Sequence, residues 1–388
     1  MSQDQFKHYD LTLVEPNFKS NLTDLIIELD YLRKKPLGGT TPVMIFFQLK
    51  HLFHTLESIG SARIEGNNTT IVEYFETKIS SDVEEIKNPM GIKEIKNLEN
   101  AMSFIEENIK SHKIDRAFLS EMHKIIVKDL PLPPDGEGDR TPGEYRKVDL
   151  KISKSKHVPP NWMKVEDYMS ELLDFINSED APKYDLLKAA IAHHRFVWVH
   201  PFGNGNGRTV RLFTYAMLVK TGFNFDIGRI INPTAVFCSN RNNYYEMLSE
   251  ADKGTDEGIL NWSEYVIRGL KEEIVKIDKL TDYSFLKSKI LLPTITHSLD
   301  RKYITDLEGK ILKRVIEKKI IQSSDLKDLF EGKASSEISR QIKKLVDKKM
   351  LIPETNRARK YVMRFDNNYL LRGIIKSLDE NNFLPIQD

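Results

Sequence analysis

The chain has one cysteine, Cys238, in 388 residues. An internal disulfide framework is excluded, and the usage fits a reducing compartment. It has no apolar run near the roughly 18–20 residues that span a bilayer, so no membrane-spanning helix is expected. It has no excess of one charge: 58 Lys+Arg face 57 Asp+Glu, a net +1, and global charge predicts no polyanionic partner. The N-terminal MSQDQFKHYD lacks the basic-then-apolar order of a secretory signal. The expectation is a cytosolic protein.

What the chain does have is length and one dense motif. With 40% hydrophobic residues it can bury a sizeable core in two or three domains. Between two helical apolar stretches, Asp185–Val199 and Leu212–Lys220, lies VHPFGNGNGRTVRL. Gly203, Gly205 and Gly207 alternate with Asn204 and Asn206, residue types that tolerate positive φ angles. A loop of this kind opening a helix makes an anion cradle from backbone N–H groups. Arg208, followed by Thr209 and Val210, and then Arg211 add fixed positive charge suited to a polyphosphate. His200 stands at the lip, a group able to accept a proton near neutrality. A base beside a phosphate cradle points to transfer of a phosphorus-containing group.

Around this motif the periodicity is mainly helical. One helix is expected over Leu22–Lys35 and another from Thr41-Pro42 to Gly66-Asn67; His51 and His54 lie in the latter as ordinary surface or core residues. Ile92–Ile109, Arg116–Leu130 and Trp162–Asn177 are amphipathic. PLPPDGEGD, 131–139, is a loop. Val148, Leu150 and Ile152 alternate with polar residues, which predicts a short strand over Val148–Ser153 in a hairpin. Leu186–Trp198 is apolar on most sides and should be the central buried helix. His193 and His194 within it carry no metal-site spacing to His200 and read as packing residues. Pro233 to Leu248 is helical, and Asn261–Ile277 follows as a last amphipathic helix. Beyond about residue 280 come helices over Asp306–Lys318, Ser323–Phe330 and Ser335–Lys348. Two short strands, 350–353 and 360–365, then flank a basic turn, Asn356–Arg359.

His200, Phe202, Gly205, Asn206, Gly207, Arg208 and Arg211 resemble the signature of the Fic family, His-x-Phe-x-(Asp/Glu)-Gly-Asn-Gly-Arg-x-x-Arg. Asn204 departs from it, standing where the family has an acid. The resemblance implies a mainly α Fic-type helical bundle with a small β-hairpin flap, here followed by a C-terminal winged helix-turn-helix. It divides the chain into an N-terminal helical region (1–90) with an inhibitory helix near 42–66, a catalytic core (91–278), a linker (279–300), a winged-helix-like domain (301–370) and a tail (371–388).

The resemblance also implies roles. Transfer of AMP from ATP to a Ser, Thr or Tyr hydroxyl of a protein would use His200 as base. The loop Gly203 to Arg211 would hold the phosphates, with Phe202 anchoring it from the core. Mg²⁺ would bridge the phosphates, with Asn204 a weak ligand because its amide lacks charge. Ser61-Ala-Arg-Ile-Glu65-Gly resembles the family's inhibitory motif, so Glu65 would pair with Arg211 where a γ-phosphate belongs. Thr141-Pro-Gly-Glu-Tyr-Arg146 resembles the segment before the flap, and Lys154, Ser155, Lys156 and His157 would cover the nucleotide. Tyr244 and Tyr245 would line the adenine pocket, with Asp252 near the base. Gly207 argues for adenylylation, because phosphorylating Doc-type relatives carry lysine there.

Two other readings stay open: a Fic-fold enzyme that transfers another nucleotide moiety or removes AMP, and a catalytically weak regulator acting through the winged helix. In the third C-terminal helix, Arg340, Lys343 and Lys344 could face phosphates. Asp325, Asp328, Glu331 and Glu337 are close in sequence, which favours protein contacts over DNA. The target, which could be the enzyme itself, is not legible, and the family's habit of dimerising leaves a homodimer open.

Overall fold

The computed structural model describes residues 6–34, 39–79, 88–152, 155–223, 230–355 and 359–384. Among these no helix is long and apolar enough to cross a membrane. The helices run α1 Asn21–Lys34, α2 Val43–Glu65, α3 Ile71–Ile79, α4 Pro89–Asn108, α5 Arg116–Val127, α6 Val165–Asn177, α7 Asp185–Val199, α8 Asn206–Lys220, α9 Pro233–Cys238, α10 Arg241–Ala251 and α11 Asp256–Asp278. They continue as α12 Tyr283–Leu286, α13 Leu292–Asp300, α14 Asp306–Lys318, α15 Ser335–Asp347 and α16 Leu371–Glu380. The chain divides into two units. The first takes 1–36, 57–69 and 88–275; the second takes 37–56, 70–87 and 276–388.

In the first unit the centre is α7. Thirteen of its residues are buried, from Leu186 to Val199, as a stretch apolar on nearly every side requires. It packs on α6 and α8. Trp262 of α11 is fully buried and donates its indole Nε1–H to the Ala190 carbonyl at 2.7 Å. α4 and α5 pair beside α8. Their starts are set by Asn88, whose side chain accepts from Gly91 N at 2.9 Å, and Asp115, which accepts from Phe118 N at 2.8 Å. Each such cap contributes about 1 kcal/mol.

Among the described residues the hairpin expected over Val148–Ser153 has no strand: residues 148–152 are irregular, and 153–154 lie outside the described residues. The groups that a ladder would need are committed elsewhere. The Val148 carbonyl accepts from Arg146 Nη1 at 3.0 Å. Asp149 accepts from Trp162 N at 2.8 Å and from Asn161 Nδ2 at 2.9 Å, pinning the segment to the start of the next helix. Alternation in three residues predicted a strand; these local bonds outweigh it.

In the second unit, Thr305 and Glu308 form a reciprocal capping box that opens α14. A 3₁₀ helix spans Ser323–Phe330, α15 follows, and β1 (Leu351–Pro353) pairs antiparallel with β2 (Tyr361–Met363) in the register Leu351↔Met363. Residues 279–300, the expected linker, are helical from Tyr283 to Asp300, with Leu286, Ile290, Leu291 and Ile295 buried. α16 lies in the expected tail and buries Ile374 and Leu378.

Replacing Trp262 by Phe removes the second donor to the Ala190 carbonyl, which keeps its helical bond within α7. The expected cost of the lost bond is about 0.5–1.5 kcal/mol, read as a lower urea midpoint at unchanged slope.

Candidate active site

α7 ends at His200 in the left-handed region, φ 51° and ψ 63°. A non-glycine residue holds that geometry at a cost of order 1 kcal/mol or more, so something must fix it. Arg146 does. Its Nε donates to the His200 carbonyl at 2.9 Å, its Nη2 reaches the carbonyls of Pro160 and Val199, and its backbone N–H donates to the Pro201 carbonyl at 2.8 Å. A cation thereby caps the C-terminal carbonyls of α7.

The loop after His200 closes on itself. Asn206 accepts from Phe202 N and donates to Phe202 O, both at 2.9 Å, so its amide clips the turn. Phe202 is fully buried and stacks on His123, ring centroids 3.8 Å apart and 2° from parallel. Gly143 N–H donates to His123 Nδ1 at 2.9 Å. The proton therefore sits on Nε2, which donates to the Asn204 carbonyl at 3.0 Å. Burial pushes the His123 imidazole down to about 4. Asp139, from the 131–139 loop, accepts from Asn204 N at 2.7 Å and from Thr141 N at 2.8 Å. Gly203 suits this close approach, since a Cβ there would lie 3.0 Å from Asp139 Oδ2.

α8 starts immediately after, with Gly205 at its N-cap at φ 76°. Thr209 and Val210 are fully buried, and Thr209 Oγ1 turns back to the Gly205 carbonyl at 2.8 Å. Arg208 and Arg211 are both inside the protein, where an unpaired charge is costly. Arg208 pairs with Glu94 at 2.9 Å and with Glu137 at 3.2 Å. Arg211 donates Nε to Ser61 Oγ at 2.9 Å, and Nη2 to the Ser61 carbonyl at 2.9 Å and to Glu65 Oε1 at 2.7 Å.

Glu65 thus brings a carboxylate to the first turn of α8. A Cβ on Gly207 would lie 2.2 Å from Glu65 Oε1, so glycine is required for the approach. Burial opposes ionisation of Glu65, but Arg211, then Arg208, outweigh it and hold the carboxyl below its usual range. An anion at a helix N-terminus beside two guanidiniums is what this loop is built to hold.

His200 keeps a partly exposed edge, while its Nδ1 is buried without a hydrogen-bond partner among the described residues. Burial drives its imidazole down to about 4, against the pull of the Val197 carbonyl. It is neutral at pH 7 and can take a proton.

The other expected site residues are placed as follows. Tyr244 is buried: its hydroxyl bonds His193 Nε2 at 2.9 Å, and its ring packs on Phe237 and Trp262. Tyr245 is exposed and lies 5.4 Å under the Arg241 guanidinium. Asp252 accepts from His194 Nε2 at 2.9 Å. His157 donates to the Trp198 carbonyl at 2.8 Å, and Ser155 Oγ accepts from His157 N at 3.1 Å. Lys156 is exposed, and Lys154 lies outside the described residues.

Asn204 is held by the loop itself. Its amide oxygen accepts from Gly205 N at 2.8 Å, and its Nδ2 faces the Gly138 carbonyl at 3.1 Å. Among the described residues no group of three or more His, Cys, Asp and Glu is arranged to hold a metal ion. The sequence reading missed Asp139, Glu94, Glu137 and His123. For Asp139 and Glu137 the one visible signal was the acid-rich composition of the 131–139 loop; Glu94 in α4 and His123 in α5 gave none.

Glu57 sits about two turns before Glu65 on α2, with both carboxylate oxygens accepting from Thr234 N at 2.9 and 3.1 Å. Burial pushes its carboxyl up to about 8, so the folded protein carries it protonated at pH 7. The unfolded chain releases that proton near 4.5, so stability falls as pH rises between the two values. Glu57→Gln should remove this slope. Its gain in urea midpoint over wild type is expected to grow from pH 5 to pH 8, and a gain that does not change with pH would contradict the assignment.

Residues 113–218 match the model of the Fic/DOC family. Proteins named protein adenylyltransferase Fic match over longer stretches. That of Nematostella vectensis is 29% identical over 254 residues, 62% of this chain and 53% of the relative. That of Culex quinquefasciatus is 28% identical over 212 residues, 53% of this chain and 37% of the relative. The chain therefore spans about half or less of the length of these curated relatives. A crystal structure of a Fic family protein from Desulfovibrio desulfuricans G20 superposes with a TM-score of 0.53 at 17% identity, covering 92% of this chain and 98% of that one. Fic-1 from C. elegans gives 0.50 at 21% identity, covering 66% and 71%. The fold is that of Fic proteins, and residues 113–218 match the Fic/DOC family model.

Proposed function

We propose that the protein is an adenylyltransferase that its own Glu65 holds inactive. It transfers AMP from ATP to a Ser, Thr or Tyr hydroxyl of a protein and releases pyrophosphate. The named relatives support the reaction class. The observation that carries the reading is the Glu65 carboxylate bound to Arg211 against Gly207: a site for an anion is filled by an anion of the same chain.

In the reaction the hydroxyl oxygen attacks the α-phosphorus, its proton passes to the neutral His200 imidazole, and the bond from the α-phosphorus to the bridging oxygen breaks. The departing pyrophosphate keeps that electron pair. Base assistance contributes about 10²–10⁴ in rate. Backbone N–H groups of Asn206 and Gly207 hold the phosphates, and Arg211, once free of Glu65, meets the charge that grows on the leaving group. Arg208 is already neutralised by Glu94 and Glu137 and serves mainly to fix the loop. Mg²⁺ would arrive on the phosphates of ATP, and the neutral Asn204 adds no charge to retain it. That feature favours a second reading, a slow enzyme whose regulatory role outweighs its turnover.

Incubation with ATP and Mg²⁺, followed by mass spectrometry, tests the assignment. Wild type is expected to carry little AMP and Glu65→Gly to gain it, while Glu65→Gly/His200→Ala should return to background. Adducts that survive the loss of His200 would remove the base from its role, and ATP binding without adducts in any sample would favour the second reading.

The same assay should show a pH signature. Because the His200 imidazole is depressed to about 4, kcat/KM of the Glu65→Gly variant should stay flat from pH 8 to about 5 and fall only toward 4. An acid limb near 6.5 would mean that the base is an unperturbed histidine.

A further inference from the structure

The second unit has a polar face that the transfer reaction does not use. α15 buries Ile338, Ile342 and Leu345 against the Ser323–Phe330 helix and β1. Its opposite side exposes Ser335, Ser336, Ser339, Arg340 and Lys343. Every side chain on that stripe can donate a hydrogen bond, and none is bulky and apolar. Ala334 at the N-cap gives the first turn no side-chain acceptor, so the helix presents N–H groups and the positive end of its dipole. Beside it the β1–β2 hairpin leaves Arg359 and Lys360 exposed.

Acidic neighbours in the sequence argued against a polyanion, but the fold disposes of several. Asp325 binds Lys318 at 2.6 Å and Asp328 binds Arg314 at 2.6 Å, tying both to α14. Glu308 is buried and takes Lys348 at 2.7 Å and Lys344 at 3.4 Å. Glu337 pairs with Arg340 at 2.9 Å within one turn, and Asp347 is exposed at the far, C-terminal end of the helix. Glu331 stays exposed ahead of α15, and the exposed Lys333, Lys343, Arg359 and Lys360 leave the face as a whole basic.

We propose that this face binds B-form duplex DNA, with the first two turns of α15 in the major groove and Arg359 and Lys360 on the backbone. A groove about 12 Å wide admits one helix, and small serines let the backbone come close while Arg340 and Lys343 reach past them. The order α14, 3₁₀ helix, α15 and hairpin is the helix-turn-helix arrangement that presents its last helix this way. The deep, narrow major groove of A-form RNA would refuse it, which separates the two nucleic acids. The inference does not rest on the proposed transfer reaction.

Fluorescence anisotropy of the full chain with a labelled random-sequence duplex tests it. At low salt the wild type should bind the DNA and lose affinity steeply as salt rises. Arg340→Ala/Lys343→Ala, with an unchanged circular dichroism spectrum, should bind at least tenfold more weakly and with a shallower salt slope, by about one unit per lost phosphate contact. Lys183→Ala, an exposed lysine of the first unit, should bind as wild type. No anisotropy change for wild type at low salt overturns the proposal. So does equal binding by the double variant, or equal affinity for an RNA duplex of the same length.

Discussion

Two guanidinium groups enter the interior at the start of α8, and the site is arranged to neutralise them. A buried charge with no partner costs several kcal/mol, so Arg208 and Arg211 dictate which carboxylates must come in from the rest of the chain. Glu94 comes from α4, Glu137 from the 131–139 loop and Glu65 from the end of α2. Three segments far apart in sequence are thereby drawn to one helix start. Of the three, Glu65 alone sits against Gly207 in the first turn of α8, which is the contact that the proposed inhibition rests on.

Rigidity of the catalytic turn comes from a second set of bonds. Left-handed His200 is fixed by Arg146 on the carbonyls around it, and the following loop is clipped by the Asn206 amide and stacked through Phe202 on His123. None of these contacts involves a charge that a nucleotide would displace. Under the proposed function, Glu65 would give way to a phosphate without any rebuilding of the loop.

The two sets of contacts give the polar residues of the motif different tasks. Asn206 is spent on closing the turn, Thr209 on the Gly205 carbonyl, and Arg208 on Glu94. Under the proposed function, His200, Gly207 and Arg211 are the ones that would meet a ligand. The histidines of α7 are similarly employed: His193 links Thr214 to Tyr244, and His194 links Tyr9 to Asp252. These bonds draw Tyr244 and Asp252 into the packing of the first unit.

What the sequence determined by itself was local. The glycine–asparagine alternation with two arginines specified a loop opening a helix, the all-round apolar run of Leu186–Trp198 specified its buried neighbour, and period-3.6 patterns located most helices. Tertiary structure decided the rest, because pairing of buried charge is a long-range matter. Nothing in PLPPDGEGD shows that Asp139 will hold Asn204 N, or that Glu137 will face Arg208. The strand suggested by Val148, Leu150 and Ile152 failed for the same reason: Asp149 and the Val148 carbonyl found partners at Trp162 and Arg146 that a two-residue periodicity does not encode.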